Sequence, residues 1–546
     1  MLKLKNISFA YMENVELFHV NTVRYVSNDR MKLEINSEEN ILTVNVNTSN
    51  ELRIQHISAV FEYPFSTPEK IFLNGYQSWT DSIEHELEDT MKGIDHIPEI
   101  VKDKYAFSQY GDYNFANYSS YPGNMHGWTY GYVRYTNEFD FFGSLAEKTG
   151  FTQIIVSVET NEIYFIKDCE DLTVNGNYCG LKIFMRTGDE DTVFDKYFEL
   201  LNIKPSPDVK PIYGYTSWYR HYQKISEKLL LEELDGITDQ RYKADVFQID
   251  DGWQTAVGDW LSVDKEKFPN GMKSIADFIK DRDMMAGLWL APFVCETDSV
   301  IFRTKEHWLL KDESFQYVKA GSNWSGFYAL DIYNEEFREY LRGLFDTVIN
   351  EWGFKLLKLD FLYAACICPR EFKTRGQVMA DAMSFLREIT KGALILGCGV
   401  QLGSAFGMVD YCRIGCDVSL DWNDKPHMRL MHRERISTKN SVLNSVFRRQ
   451  LNGRAFYNDP DVFILRDEDT TLTHAQKQCL SEVNAMMGGV LFTSDNVSEY
   501  DETTQKILSK VMALRNCKVI SAELIGEFLI VKFSIGDRKF LRKYKV

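Results

Sequence analysis

None of the 546 residues falls in an apolar stretch approaching the roughly 20 that a membrane span requires. The opening MLKLKNISFAYMENVELF lacks the apolar core of a secretory leader. The ten cysteines form no CxxC pair. Their closest spacings, Cys366–Cys368 and Cys412–Cys416, lie on or beside expected core strands and read as reduced core thiols, not zinc ligands. Positive charge is also short: 62 Lys and Arg stand against 79 Asp and Glu, a net charge of −17. Phosphate backbones and anionic lipid surfaces would be repelled, which argues against nucleic acid or membrane as a partner. Internal repeats and low-complexity segments are lacking too. A cytoplasmic location is the expectation.

What is present is a chain too long for a single hydrophobic core, so several domains are expected. Its 44% hydrophobic and 26% charged residues are those of an ordinary globular protein. Aromatics reach 14%. Much of that is core, but aromatic faces also match the C–H faces of sugars.

Residues 1–200 alternate apolar and polar positions in short runs, as in KLEINSEENILTVNVN (32–47) and FTQIIVSVETNEIYFI (151–166). That period of two predicts a large antiparallel β domain. PSPDVKP (205–211) reads as a linker. Strand–helix alternation follows, with strands expected at 212–219, 245–251, 285–292, 356–362, 394–399, 411–417, 459–465 and 488–495. Helices such as 335–353 and 380–392 fill most gaps, and the gap between the fifth and sixth strands is short. Eight such strands predict a closed (β/α)8 barrel, whose C-terminal strand ends carry the site. The last thirty residues return to strand character.

Four strand ends concentrate ionisable groups and tryptophans: FQIDDGW (247–253), GLWLAPF (287–293), LLKLDFL (356–362) and CRIGCDVSLDW (412–422). Two isolated aspartates among them, Asp360 and Asp417, suit nucleophile and acid work on an acetal. Lys358 and Asp360 share one face of their strand, and the lysine would keep the carboxylate ionised for attack. Asp417 is expected in a mostly apolar setting that would help a general acid hold its proton. Asp421 and Asp424 are the alternatives for that role, and a helix N-cap is the competing structural role. Asp250 and Asp251 form an adjacent pair that sugar hydroxyls could satisfy. A Ca²⁺ or Mg²⁺ site competes, but no D-x-D-x-D loop accompanies the pair, so neither metal nor cofactor is expected. Trp218, Trp253 and Trp289 all sit at or beside strand ends.

In this order and spacing, NGYQSW (74–79), DDGW (250–253), GLWLAP (287–292), the K-x-D of 358–360 and the R-x-x-x-D of 413–417 resemble glycoside hydrolase family 36, the α-galactosidases of clan D, in their shorter bacterial form. The resemblance covers the chain. It implies an N-terminal β-supersandwich (1–204), a (β/α)8 catalytic barrel (205–515) and a small C-terminal β-sandwich (516–546). It makes Asp360 the nucleophile and Asp417 the general acid/base. Asp250 and Asp251 would hold the galactose hydroxyls around C4 and C6, with Lys358 and Arg413 as basic ligands. Trp218 and Trp289 would form aromatic walls, Trp79 would reach across from the β domain, and Cys398 would contact the sugar near C2. The implied activity is retaining, exo-acting removal of terminal α-linked galactose from oligosaccharides or glycoconjugates. The alternatives are α-N-acetylgalactosaminidase, decided by 397–403, a transglycosylase, and a carbohydrate-binding homologue without catalysis. Oligomeric state is left open.

Overall fold

Alternating side chains set the first layer. In a computed structural model, which describes residues 2–546 except 14–15, 239, 371, 427 and 429–431, the strand Ile41–Glu62 buries Leu42, Val44 and Val46 while the residues between them are half exposed. It runs antiparallel beside Leu172–Gly188 within one thirteen-stranded sheet. Register shifts between Val174 and Gly176 and between Cys179 and Leu181 bend this pair. Leu42, Val44, Ile154, Val156 and Phe165 then share one buried cluster.

After residues 205–211 the period changes. A second sheet holds nine strand segments in the order Tyr457–Asp459, Tyr411–Arg413, Leu394–Gly397, Leu356–Leu359, Met285–Leu290, Val246–Ile249, Ile212–Thr216, Val490–Thr493 and Val462–Phe463, each neighbouring pair parallel. All eight expected strand segments are here, the seventh split in two. Its halves lie at opposite ends of the order, so the path returns on itself across Pro460 and Asp461. Continuous apolar runs such as Ala286–Leu290 are buried throughout, as strands covered on both faces require. Between the fifth and sixth strands the chain has room only for the four-residue helix Leu402–Ala405. The helix expected at 380–392 starts earlier, at Arg375, because Thr374 and Gln377 form a reciprocal capping box there.

The C-terminal end differs from the expected sandwich. Lys518–Ile525, Phe528–Ile535 and Arg538–Lys545 form a single three-stranded antiparallel sheet. So short a segment cannot supply a second layer, and a helix takes that place. The Tyr544 hydroxyl donates to Glu482 of the helix His474–Met487 at 2.5 Å, and Arg542 pairs with the same carboxylate at 3.2 Å. No helix among the described residues is long and apolar enough to cross a membrane.

Candidate active site

One cavity opens where the parallel strands end. Trp79, Trp218, Asp250, Trp289, Lys358, Asp360 and Asp417 line it. Asp251, Cys398 and Arg413 stand directly behind these, bonded to cavity residues. The structure therefore gathers the ten residues to which the family resemblance gives a place in the site. Trp253 goes elsewhere: it is fully buried, and its indole N–H donates to the Trp289 carbonyl.

Asp360 follows the strand Leu356–Leu359, and the next residue, Phe361, turns sharply into the left-handed region at φ 52°. That turn brings the Phe361 N–H onto Asp360 Oδ1 at 2.9 Å, while Trp289 Nε1 donates to Oδ2 at 3.0 Å. Burial pushes the carboxyl above its ordinary value. The Lys358 ammonium and hydrogen bonds from Trp289 and Cys398 pull it back in part, and the Asp417 charge adds to the rise. With Asp360 as the nucleophile of the function proposed below, which must work ionised, activity is expected to fall as pH drops through this raised value. The acid limb of kcat/KM is expected above the ordinary aspartate value of about 3.9. A pH–rate profile checks it, and a limb at or below that value would contradict it.

Lys358 shares the face of Asp360, but its ammonium binds Asp250 Oδ2 instead, at 2.8 Å and nearly buried on both sides. Burial raises the Asp250 carboxyl, but the Lys358 charge and hydrogen bonds from Lys358, Gln248 and the Asp251 N–H outweigh it, leaving the group below its usual range. Among the described residues Asp251 has no such cation. Burial lifts it, against hydrogen bonds from Gln254 (2.6 Å), Trp324 (2.8 Å) and Gln223 (2.7 Å). The pair is thus divided: Asp250 is an ion-paired acceptor on the cavity wall, and Asp251 is anchored behind it.

Asp417 departs from the apolar setting expected for it. Its side chain is 35% exposed and Oδ1 accepts from Arg413 Nη1 at 2.7 Å. Arg413 is buried and reaches Asp459 and Asp461 as well, at 3.2 and 3.0 Å. Asp421 accepts instead from Thr471 at 2.6 Å and Asp424 pairs with Arg435 at 2.7 Å. Of the three candidates in this segment, Asp417 is the one on the cavity wall.

Trp79 arrives from the first sheet. Its indole N–H donates to Cys398 Sγ at 3.2 Å, and a Cβ on Gly399 would stand 2.9 Å from its ring. Arg448, fully buried, holds this loop: it donates to Asn74 Oδ1 (3.0 Å), to the carbonyls of Gln77 (3.2 Å) and Ser78 (2.8 Å), and to Ile414 (3.0 Å) across the joint. With no carboxylate among those partners, burial pushes the guanidinium down to about 10. Arg448→Met would strand four acceptors, each charge-assisted bond contributing about 1.5–3 kcal/mol. The expected outcome is a fall in stability of about 3 kcal/mol or more, with KM raised as Trp79 loosens. Thermal unfolding and steady-state kinetics check it, and an unchanged unfolding midpoint would contradict it.

The sequence reading missed the outer rim: Phe107, Tyr110, Asn323, Trp324, His432 and Glu434. These sit in irregular segments whose meeting depends on tertiary path. Tyr110 donates to Asn323 at 2.8 Å, and Glu434 accepts from Thr80 (2.6 Å) and Tyr113 (2.7 Å).

Comparison with known proteins fits this geometry. The melibiase family model matches residues 207–370, which contain Trp218, Asp250, Asp251, Trp289, Lys358 and Asp360. An Escherichia coli α-galactosidase is 37% identical over 145 residues, a quarter (25%) of this chain and 19% of that protein. An A type blood α-D-galactosamine galactosaminidase from Flavonifractor plautii is 30% identical over 172 residues, 29% of this chain and 16% of that protein. The chain thus aligns with under a fifth of the length of either relative. Among solved structures, an α-galactosidase from Thermus thermophilus in complex with p-nitrophenyl α-D-galactopyranoside has TM-score 0.72 and 25% identity, covering 94% of this chain and 98% of that one. The family 36 α-galactosidase AgaA from Geobacillus stearothermophilus, at 12% identity and TM-score 0.63, covers 100% of this chain and 79% of its own, and shares the fold.

Proposed function

We propose that this protein is a retaining, exo-acting α-galactosidase. Its catalytic unit (205–515) is read as a (β/α)8 barrel, flanked by a β-supersandwich (1–204) and a small C-terminal β domain (516–546). The observation that carries the reading is the placing of Asp360 and Asp417 on one cavity wall with different surroundings. Asp360, held by two N–H donors from Trp289 and Phe361, attacks the anomeric carbon. Asp417, more exposed and on a guanidinium, protonates the leaving oxygen and then deprotonates water. Asp250 offers its carboxylate, oriented by Lys358, to the hydroxyls around C4 and C6. The Thermus thermophilus relative's complex with an aryl galactoside supports the same class of substrate for this chain.

Galactose is preferred over N-acetylgalactosamine. The family resemblance puts C2 beside Cys398, and Trp79 closes that side tightly against Cys398 and Gly399, which leaves little room for an acetamido group. The test is turnover of p-nitrophenyl α-galactoside, its α-glucoside and its N-acetyl-α-galactosaminide. The galactoside is expected to beat the glucoside by orders of magnitude, because an equatorial O4 withholds one donor from a buried carboxylate, and to beat the N-acetylgalactosaminide because Trp79 crowds the acetamido group. Comparable rates on galactoside and glucoside would count against the role of Asp250, and no turnover of any would count against the enzyme.

A further inference from the structure

Behind Asp417 lies a cluster that acid catalysis by a single carboxyl does not itself require. Arg413 is buried and its three nitrogens each meet a different carboxylate: Nη1 to Asp417 at 2.7 Å, Nε to Asp459 at 3.2 Å and Nη2 to Asp461 at 3.0 Å. The seventh strand is broken to make this happen. Pro460, which has no N–H for the ladder, separates Tyr457–Asp459 from Val462–Phe463. Asp461 sits at φ 73°, in the left-handed region that a non-glycine residue adopts at a cost. Its N–H donates to Asp459 Oδ1 at 2.8 Å, which fixes the turn.

The outcome of that turn is a fully engaged carboxylate. Asp461 Oδ1 takes Arg413, while Oδ2 accepts the main-chain N–H of Val418 at 2.8 Å and the hydroxyl of Tyr219. Val418 immediately follows Asp417, and Tyr219 immediately follows Trp218. One buried side chain therefore ties the backbone behind the acid/base to the element that bears a wall tryptophan. Asp417 needs such a tether. Its own side chain is partly exposed and takes its hydrogen bond, among the described residues, from Arg413 alone.

We propose that Asp461 is the positioning residue for the acid/base: through the Val418 amide, Arg413 and Tyr219 it holds the Asp417 carboxyl toward the leaving oxygen. Burial pushes Asp461 up to about 7 against the pull of Arg413, with the charges of Asp417 and Asp459 adding to the rise, as a group with three carboxylates to one guanidinium would require. The inference rests on Asp417 being the acid/base.

The test compares kcat/KM, which reports the glycosylation step, on 2,4-dinitrophenyl α-galactoside and on an unactivated α-galactosyl disaccharide. Proton donation matters only for the second, and general acid catalysis supplies about 10²–10⁴-fold. Asp461→Asn is expected to lose about 100-fold on the disaccharide and less than about 5-fold on the aryl galactoside. Should that variant fail to fold, Tyr219→Phe, which removes one tether, decides by the same comparison. A greater loss on the disaccharide than on the aryl galactoside supports the inference. Equal losses on both substrates in a folded variant, or none on either, overturn it. If Asp417→Ala shows the leaving-group split and the tether variant does not, this inference alone fails. If the unaltered protein hydrolyses neither substrate, the α-galactosidase reading falls and this inference with it.

Discussion

Asp360→Ala is expected to abolish turnover of every α-galactoside, whatever its leaving group, with a loss on the order of 10⁴–10⁶-fold in kcat/KM. In the proposed mechanism Asp360 supplies the electron pair that forms the covalent intermediate. Trp289 Nε1 and the Phe361 N–H orient it by donating to its two oxygens. Folding should survive, because Ala also removes a buried carboxyl whose charge burial disfavours. Added azide gives a sharper reading. It enters the space of the lost carboxylate, on the face opposite the leaving aglycone, so any rescue with an activated substrate yields the β-galactosyl azide. Unaltered kcat/KM in a folded Asp360→Ala protein would remove the assigned nucleophile.

The second large effect is selective. Asp417→Ala removes proton donation in the first step and proton abstraction in the second, but leaves attack intact. A dinitrophenyl α-galactoside, whose leaving group needs no proton, should still glycosylate Asp360, whereas a disaccharide should lose about 10²–10⁴-fold. The β-linked intermediate then accumulates for want of a base. Azide, which needs no deprotonation, attacks it from the face that water uses and releases the α-galactosyl azide. The two variants are thus separated by the configuration of one product. If Asp421→Ala or Asp424→Ala behaves this way while Asp417→Ala stays active, the acid/base lies elsewhere in 412–424. Their hydrogen bonds to Thr471 and Arg435 argue otherwise.

Much of this site was legible because strands announce their ends. An apolar run buried on both faces, stopping at Asp250, Asp360 or Arg413, marks where the chain leaves the core, and parallel neighbours bring those stops to one mouth. Partner choice was less legible. Lys358 shares a face with Asp360 by strand geometry, yet its ammonium pairs with Asp250, at the end of Val246–Ile249 two strands away in the sheet. The setting of Asp417 was misread because the local residues Cys416, Val418 and Leu420 are apolar while the group that matters, Arg413, lies one strand end back. In the sequence Asp459 and Asp461 read as ordinary strand residues. Their signal was present in NDPD, where a proline between two aspartates inside a parallel strand marks a break. Trp324, Tyr110 and His432 carried no local signal, because irregular segments meet by tertiary path. The C-terminal sheet showed its strands in sequence but not that a helix, held through Glu482, supplies its second layer.

The central claim is a double displacement at Asp360 assisted by Asp417. Proton NMR of the sugar first released from an α-galactoside, recorded before mutarotation, tests it most directly. Double displacement makes α-galactose the first-formed anomer; β-galactose appearing first would contradict it.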